Sequence, residues 1–451
     1  MNVVLSLLVL YAIALVALGL WIGRHVRGSQ DFFVANRSLG PGLLFATFLA
    51  ANIGAGSTVA ATGYAYRDGL AAWWWNGSAG IGSLILAFWI GPRIWREAKA
   101  HGMLTVGDFL EHHFGRDVRG LAAALIWLGS FLILCGQLRG AAEVLQTVAG
   151  VSLATGALLA AIATTAYFTA GGLLSAASVN RVQLIVIMAG FMLAAPMAMQ
   201  AAGGFASAGG DTSFLRGTQV GWPTLLLLGP AFFLSPGLIQ KGYGARDERT
   251  LTWGVALNGL ALMAFAVLPV IIGLAARALH PSLERPEMAL PTVLAESVPP
   301  SIGALALAAV LSAELSSADA VLFMLATSGA RDFYKGFVRP AASDAEVLFV
   351  ARVLAGVACL VGFLLTFVLD SVESALRMFY SIMVVTLFAP ILGGLFLPRA
   401  GRWAALASML VGVTTLVTIH AVTGGAGYGW AAPSLFGLLA AGITYLVLAV
   451  F

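Results

Sequence analysis

The chain has 451 residues, 60% of them hydrophobic and only 10% charged, with a mean hydropathy of +0.94 and a formal net charge of +4. A soluble domain carries about 25% charged residues, so the composition excludes a soluble globular protein, and no polar stretch is long enough to form a domain outside the membrane. Apolar stretches of about 20 residues recur along the whole length, the pattern of a polytopic helical membrane protein, and residues 1–451 read as one transmembrane domain. Cys135 and Cys359 both fall inside apolar spans and read as small core residues rather than a disulfide. The pI near 9.2 does not point to nucleic acid, because the basic residues gather in loops on one side.

Thirteen spans are expected, at 2–23, 41–66, 70–95, 119–149, 152–170, 181–202, 221–241, 252–278, 300–330, 346–369, 374–396, 402–422 and 431–450. The first has no basic residue before it, and Arg24, His25 and Arg27 follow it, so it reads as a retained span with its N-terminus outside rather than a signal peptide. With that orientation, 18 of the 24 Lys and Arg residues fall in inner loops or helix ends. Only Arg67, Arg216, Arg277 and Arg285 fall outside, while Arg139 and Arg377 lie within spans. This is a strong positive-inside bias. It places the C-terminus in the cytoplasm and the protein in the cell (plasma or inner) membrane.

The second span carries Leu49-Ala50-Ala51-Asn52-Ile53-Gly54-Ala55-Gly56-Ser57-Thr58 near mid-membrane. Gly weakens a helix by roughly 1 kcal/mol relative to Ala, and a freed carbonyl in hydrocarbon costs several kcal/mol unless something binds it. A break there fits a cavity or an ion, whereas an unbroken helix would use the same small residues for close packing. After the third span, residues 104–114 read as a short amphipathic helix on the inner surface. His112 and His113 in it are adjacent rather than four apart, so they read as surface histidines and not as metal ligands.

The seventh span, 221–241, contains Pro230 and Ser235-Pro236-Gly237 and is the second interrupted helix, five spans after the first. Two broken helices in corresponding positions of oppositely oriented halves point to an inverted-repeat transporter with its site at the midplane. In the ninth span, Ala313, Ser316 and Ser317 share one helical face. Two hydroxyls and a carbonyl from this helix, with carbonyls from the first broken helix, make an oxygen set suited to sodium. Glu314 and Asp319 are intramembrane acids beside that face, and such groups mark function or pair with a partner such as Arg377.

Several motifs in order carry a family resemblance: Asp31-Phe32-Phe33-Val34-Ala35-Asn36-Arg37-Ser38-Leu39-Gly40 with Ala50-Ala51-Asn52-Ile53, then Thr105-Val106-Gly107-Asp108-Phe109-Leu110 and Thr169-Ala170-Gly171-Gly172-Leu173. Gln240-Lys241, Ala245-Arg246-Asp247, Ser316-Ser317, Arg331-Asp332-Phe333-Tyr334-Lys335 and Phe388-Ala389-Pro390 complete them. From about residue 31 to 400 the chain resembles the sodium:solute symporter family, which includes sodium/glucose, proline, pantothenate and sialic acid symporters. The resemblance implies an all-α LeuT-like fold with a ten-helix inverted repeat (about 41–202 and 221–396), one extra helix before it and two after it. It also implies inward solute transport driven by sodium. The family's core sodium site falls on the carbonyls of Ala50, Ile53 and Ala313 and the hydroxyls of Ser316 and Ser317.

The chain departs from the family in two respects. Where many members have an Asp that supports sodium coupling, this chain has Asn180, and Asp319 stands near serines used by members with a second site. A carboxylate relocated to Asp319 would preserve the charge. The family's sugar-contacting positions fall on Ser57, Asn76 and Phe232, and near Ile382, so a hexose is not the expected cargo. Arg139 in the fourth span is expected to receive a substrate carboxylate through a bidentate pair, to pair with Asp319 or Glu314, or to reach the outer interface. With Ser57, Thr58, Asn76 and Phe232 it gives a solute site suited to a small organic anion.

Proton coupling through Glu314 or Asp319 is the competing transport mechanism, and a symporter-like membrane sensor is the competing class. The absence of a cytoplasmic extension before Phe451 counts against the sensor. No catalytic motif is present, so no enzyme is expected. The partners implied are sodium, a small solute and the bilayer, with no obligate protein partner evident.

Overall fold

The structure, a computed structural model, describes residues 3–26, 28–208, 212–215, 221–368, 371–397 and 401–450. Asn2, at the start of the first expected span, and Arg27, Arg216 and Arg399 of the Lys and Arg count lie outside the described residues. Among the described residues the only β contacts are two isolated bridges, Leu39 with Ala245 and Tyr428 with Ala431, and the rest of the regular structure is helical. Among the described residues ten helices are long and apolar enough to cross a bilayer, and Val9–Gly23 and Pro41–Asn52 are shorter apolar helices.

Two pairs of expected spans are corrected, because each runs on without a loop. The span 41–66 passes into 70–95 within one helical run, Gly56–Ala100, turned at Gly69 (φ 73°). The second pair lies further along the chain. Residues 152–170 and 181–202 do not flank a loop but belong to one helical run, Leu153–Ala201, of 49 residues. At 1.5 Å per residue a straight run of that length would reach about 73 Å, more than twice the roughly 30 Å hydrocarbon core. The run is broken at Gly172 (φ 51°, ψ −134°). A single glycine in that conformation redirects the chain, so no loop is needed. A Cβ at Gly172 would lie 2.6 Å from both Cγ and the carbonyl oxygen of Phe32. The ninth span runs as Pro300–Ser328 and continues as a wider coil through Val338.

The surface helix after the third span is Val106–Phe114. Thr105 and Asp108 cap it reciprocally, through Asp108 N–H to Thr105 Oγ1 at 3.0 Å and Thr105 N–H to Asp108 Oδ2 at 3.2 Å. Its neighbour Arg119 gathers Asp108 (3.1 Å) and Asp332 (2.8 Å), with Glu111 also in contact, and so ties the end of the ninth span to this helix.

Burial shows which helices build the centre. In its apolar stretch Pro300–Val338 is 83% buried, against 28% for Arg402–Thr423 and for Pro433–Val450. The ninth span is therefore the central helix, and the last two lie at the periphery with wide apolar surfaces for lipid. Pro300–Ser328 packs on Leu153–Ala201, Arg116–Ala149 and Pro41–Asn52.

Candidate ion and solute site between the two broken helices

The first break falls where the glycines predict it. Pro41–Asn52 stops at Ile53, whose backbone is extended (φ −97°, ψ 98°), and the chain resumes as a π-helical turn, Gly56–Ala60, then a helix, Ala61–Asp68. A helix end leaves four carbonyls without helical partners, and in a membrane each must be satisfied by protein. Here Leu49 O accepts from Ile53 N–H (3.0 Å). The other three each accept a hydroxyl: Ser316 on Ala50 O (2.8 Å), Ser317 on Ala51 O (3.0 Å) and Ser57 on Asn52 O (2.7 Å). On the far side of the break, Ala55 N–H donates to Gln137 Oε1 (2.8 Å).

The second break is at Ser235 (φ −55°, ψ 118°), between Leu225–Leu234 and Pro236–Tyr243. Pro236 has no N–H to continue a helix, and Ser235 Oγ caps the new helix at Leu238 N–H (3.4 Å).

The structure buries all five proposed sodium ligands and sets Ser316 against two of them. Ser316 Oγ lies 2.8 Å from Ala50 O and 3.0 Å from Ala313 O, and Ala50, Ile53, Ala313 and Ser316 have no exposed surface. Ser317 is 4% exposed and faces Ala51 as well. Neutral carbonyl and hydroxyl oxygens from a broken and an unbroken helix fit a hard monovalent cation, which needs several oxygens but no thiolate or imidazole. Gly54 is confined by this cluster, since a Cβ on it would fall 2.3 Å from Ser317 Oγ and 2.6 Å from Gln137 Oε1.

Two buried carboxylates flank the serines. Glu314 Oε1 lies 3.0 Å from Thr58 Oγ1, which is also 2.9 Å from Gly54 O, and Glu314 Oε2 has no hydrogen-bond partner among the described residues. Asp319 Oδ2 accepts from Tyr167 O–H (3.0 Å). With its amide turned so that the nitrogen faces the carboxylate, Asn180 donates to Asp319 Oδ2 (2.9 Å) and to Gln183 Oε1 (3.0 Å). Asp319 Oδ1 has no partner among the described residues. Asn180 and Asp319 therefore meet, as the carboxylate relocation requires. Neither acid pairs with Arg377, which holds Glu373 (3.0 Å) and Tyr64 Oη (3.1 Å) instead.

A cavity of about 70 Å³ lies between the broken helices, lined by Ser57, Gln137, Phe232, Ser235, Lys241 and Tyr380 among others. Of the expected solute contacts, Ser57 and Phe232 line it. The other three do not. Asn76 donates to Ser57 O (3.0 Å) and so braces the break, and Thr58 is turned to Glu314. Arg139 is the main correction: its Nη1 donates to Thr366 O (3.2 Å) and its Nε lies 3.4 Å from Glu143 Oε1. Arg139 stands two residues from Gln137, about 200° round a helix, so the wall that presents Gln137 turns Arg139 away.

The residues missed by sequence reasoning are Gln137 and Lys241. Lys241 ends the expected span 221–241 and so falls among the 18 inner Lys and Arg residues. The helix, however, runs on to Tyr243 and leaves Lys241 with no exposed surface. The default reading of an intramembrane lysine as functional would have found it. Nothing in the sequence separates Gln137 from Arg139 as the one that faces inward.

A polytopic helical bundle with two interrupted helices around one cavity, the first of them meeting an unbroken helix at a buried oxygen cluster, defines a membrane transporter of the secondary, ion-coupled class. The sodium:solute symporter family model matches residues 32–412, and the chain belongs to that family. Relatives include the high-affinity proline transporter PutP of Bacillus subtilis, 23% identical over 89% of this chain and 88% of that protein. The high-affinity choline transporter 1 of Caenorhabditis elegans is 24% identical over 90% and 76%. The sodium/glucose cotransporter of Vibrio parahaemolyticus is 23% identical over 82% and 75%. In structure the chain is similar to a Na+-coupled sialic acid symporter in a substrate-bound, outward-open state, with a TM-score of 0.85 at 17% identity over 100% of this chain and 98% of that one. It is also similar to the nucleobase-cation-symport transporter Mhp1, with a TM-score of 0.58 at 15% identity over 93% and 92%. These neighbours have the LeuT-like fold, which is the fold of this chain, and the family consists of transporters rather than enzymes.

Proposed function

We propose that this protein moves a small solute into the cell together with sodium, by alternating access to the cavity between the two broken helices. The observation that carries the reading is the loosened backbone at Ala50–Ile53 facing Ser316 and Ser317 across a buried contact. Sodium in this reading is a transported substrate held by the carbonyls of Ala50, Ile53 and Ala313 and the hydroxyls of Ser316 and Ser317. Holding it ties the Pro41–Asn52 helix to the Pro300–Ser328 helix. A solute that touches Ser57 or Gln137 on the same framework then binds more tightly when sodium is present, and by linkage sodium binds more tightly with solute. Transport runs inward if the basic loops face the cytoplasm, as their Lys and Arg excess supports. The cargo is read as a small organic anion.

A second ion is supported by one specific observation, the unpartnered Asp319 Oδ1 beside Asn180. Asp319 then supplies the charge that Asn180 lacks, and the coupling stoichiometry exceeds one cation per solute.

The test is a thermal-stability screen of carboxylates, amino acids, choline and sugars on the purified protein, in sodium and in potassium at matched ionic strength. The proposal expects at least one solute to stabilise the protein at concentrations about tenfold lower in sodium, a coupling of about 1.4 kcal/mol. Equal stabilisation in both salts would contradict it. Equality in the two salts with a strong gain at low pH would favour proton coupling.

A further inference from the structure

The polar groups on the cavity wall are unevenly occupied. The hydroxyls of Ser57 and Ser317 are given to backbone carbonyls, and the Asn52 amide nitrogen is given to Asn258 Oδ1 (3.1 Å). Gln137 uses its oxygen on Ala55 N–H, which leaves its amide N–H groups for the cavity. Ser235 uses its oxygen as a helix cap, which leaves its O–H. The Tyr380 hydroxyl has no hydrogen bond among the described residues. The groups left over include these donors, together with the Asn52 amide oxygen as an acceptor and the Tyr380 hydroxyl, which can do either.

Lys241 stands among them. Its ammonium has no exposed surface and donates to Thr47 O alone, at 3.3 Å. Among the described residues it forms no ion pair within 4.0 Å. Asp319 Oδ2 is taken up by Tyr167 and Asn180, and its Oδ1 has no partner among the described residues. A buried ammonium with three donors and one acceptor is costly unless a partner completes it. A solute in the cavity that Lys241 helps to line can supply that partner, and the rest of the wall (Phe232, Phe379, Tyr380, Leu376 and Met324) offers it apolar surface.

We infer that Lys241 is the anchor for the solute's negative charge, and that the cargo is a small monoanion, a carboxylate with an apolar body. The carboxylate meets the ammonium of Lys241 and the donors of Ser235 and Gln137, and the body lies on the aromatic side. This rests on the reading of the cavity as the solute site. It transfers to Lys241 the role that the sequence suggested for Arg139, and it counts against a quaternary ammonium cargo, for which the aromatic rings alone would be suited.

The experiment measures binding of acetate, lactate, benzoate, nicotinate and proline, each beside its own amide, with choline and glucose as controls. It uses the full-length protein and the variants Lys241→Gln and Lys241→Arg. At least one carboxylate should bind the wild type about tenfold or more tightly than its amide, lose that preference in Lys241→Gln, and keep part of it in Lys241→Arg. The assignment is overturned if no carboxylate is preferred to its amide, if only choline or glucose binds, or if the preference survives in Lys241→Gln. Should Lys241→Gln not fold, the amide comparison on the wild type and on Lys241→Arg still decides. A carboxylate preference that is equal in sodium and potassium would strike the sodium coupling and leave the role of Lys241 intact.

Discussion

Arg139 and Asp319 show how far a single intramembrane charge can be read without its neighbours. Both are rare residue types for their depth, and that much was legible in the sequence. The partners were not. Arg139 is paired with Glu143, whose side chain is 2% exposed and which also receives Arg285 (2.8 Å). Arg139→Lys and Arg139→Ala should therefore lower thermal stability, by about 1–3 kcal/mol for the Ala variant because Arg285 remains on Glu143. The loss should be the same with and without solute in a paired melting experiment. A variant of normal stability that had lost solute binding would return Arg139 to the site. Asp319 is the opposite case, because the structure does bring it to Asn180. Asp319→Asn should weaken sodium binding or lower its cooperativity in a folded protein, and Asn180→Asp in that background should restore part of it. A sodium titration unchanged in Asp319→Asn would remove the second ion.

At the scale of elements, both helix breaks and nearly every span were legible, because proline, glycine and apolar run length act locally. The expected loop between 170 and 181 was not, because one left-handed glycine replaced it. Gly172→Ala should be strongly destabilising, since φ is positive and the added methyl meets the backbone oxygen of Phe32 at 2.6 Å. A melting temperature within a degree or two of wild type would show that the bend is not fixed by this residue. Element ends also carry a pH dependence. Asp247 caps the Glu248–Phe265 helix through Thr250 N–H (2.7 Å). That backbone hydrogen bond, foremost, holds its carboxyl below the ordinary 3.8. A lowered pKa gives stability that is complete above the unfolded value and is lost as pH falls through the folded one. The stability gap between wild type and Asp247→Ala should thus be constant above pH 3.8 and close below it. A gap that persisted at lower pH would mean that the negative charge is not what the cap uses.

At the scale of the whole molecule, the central helix Pro300–Ser328 carries the proposed ion-binding serines and both intramembrane acids, since Ser316, Ser317, Glu314 and Asp319 all lie on it. The sequence located this helix by its serine face, and the structure sets Ser316 against Ala50 and Ala313, while Ser317 turns to Ala51. The solute wall was less so, because which side of the Arg116–Ala149 helix faces inward depends on packing that spacing alone does not encode. The central claim is that sodium is held where the broken helix meets Ser316 and Ser317. Its most direct test is equilibrium binding of radioactive sodium to the purified wild type and to the Ser316→Ala/Ser317→Ala double variant, both verified as folded by their melting curves. Two lost ligands of a desolvated cation, at about 1.5–3 kcal/mol each, predict that the double variant binds sodium at least about a hundredfold more weakly. Sodium binding of wild-type affinity in the folded double variant would contradict the account.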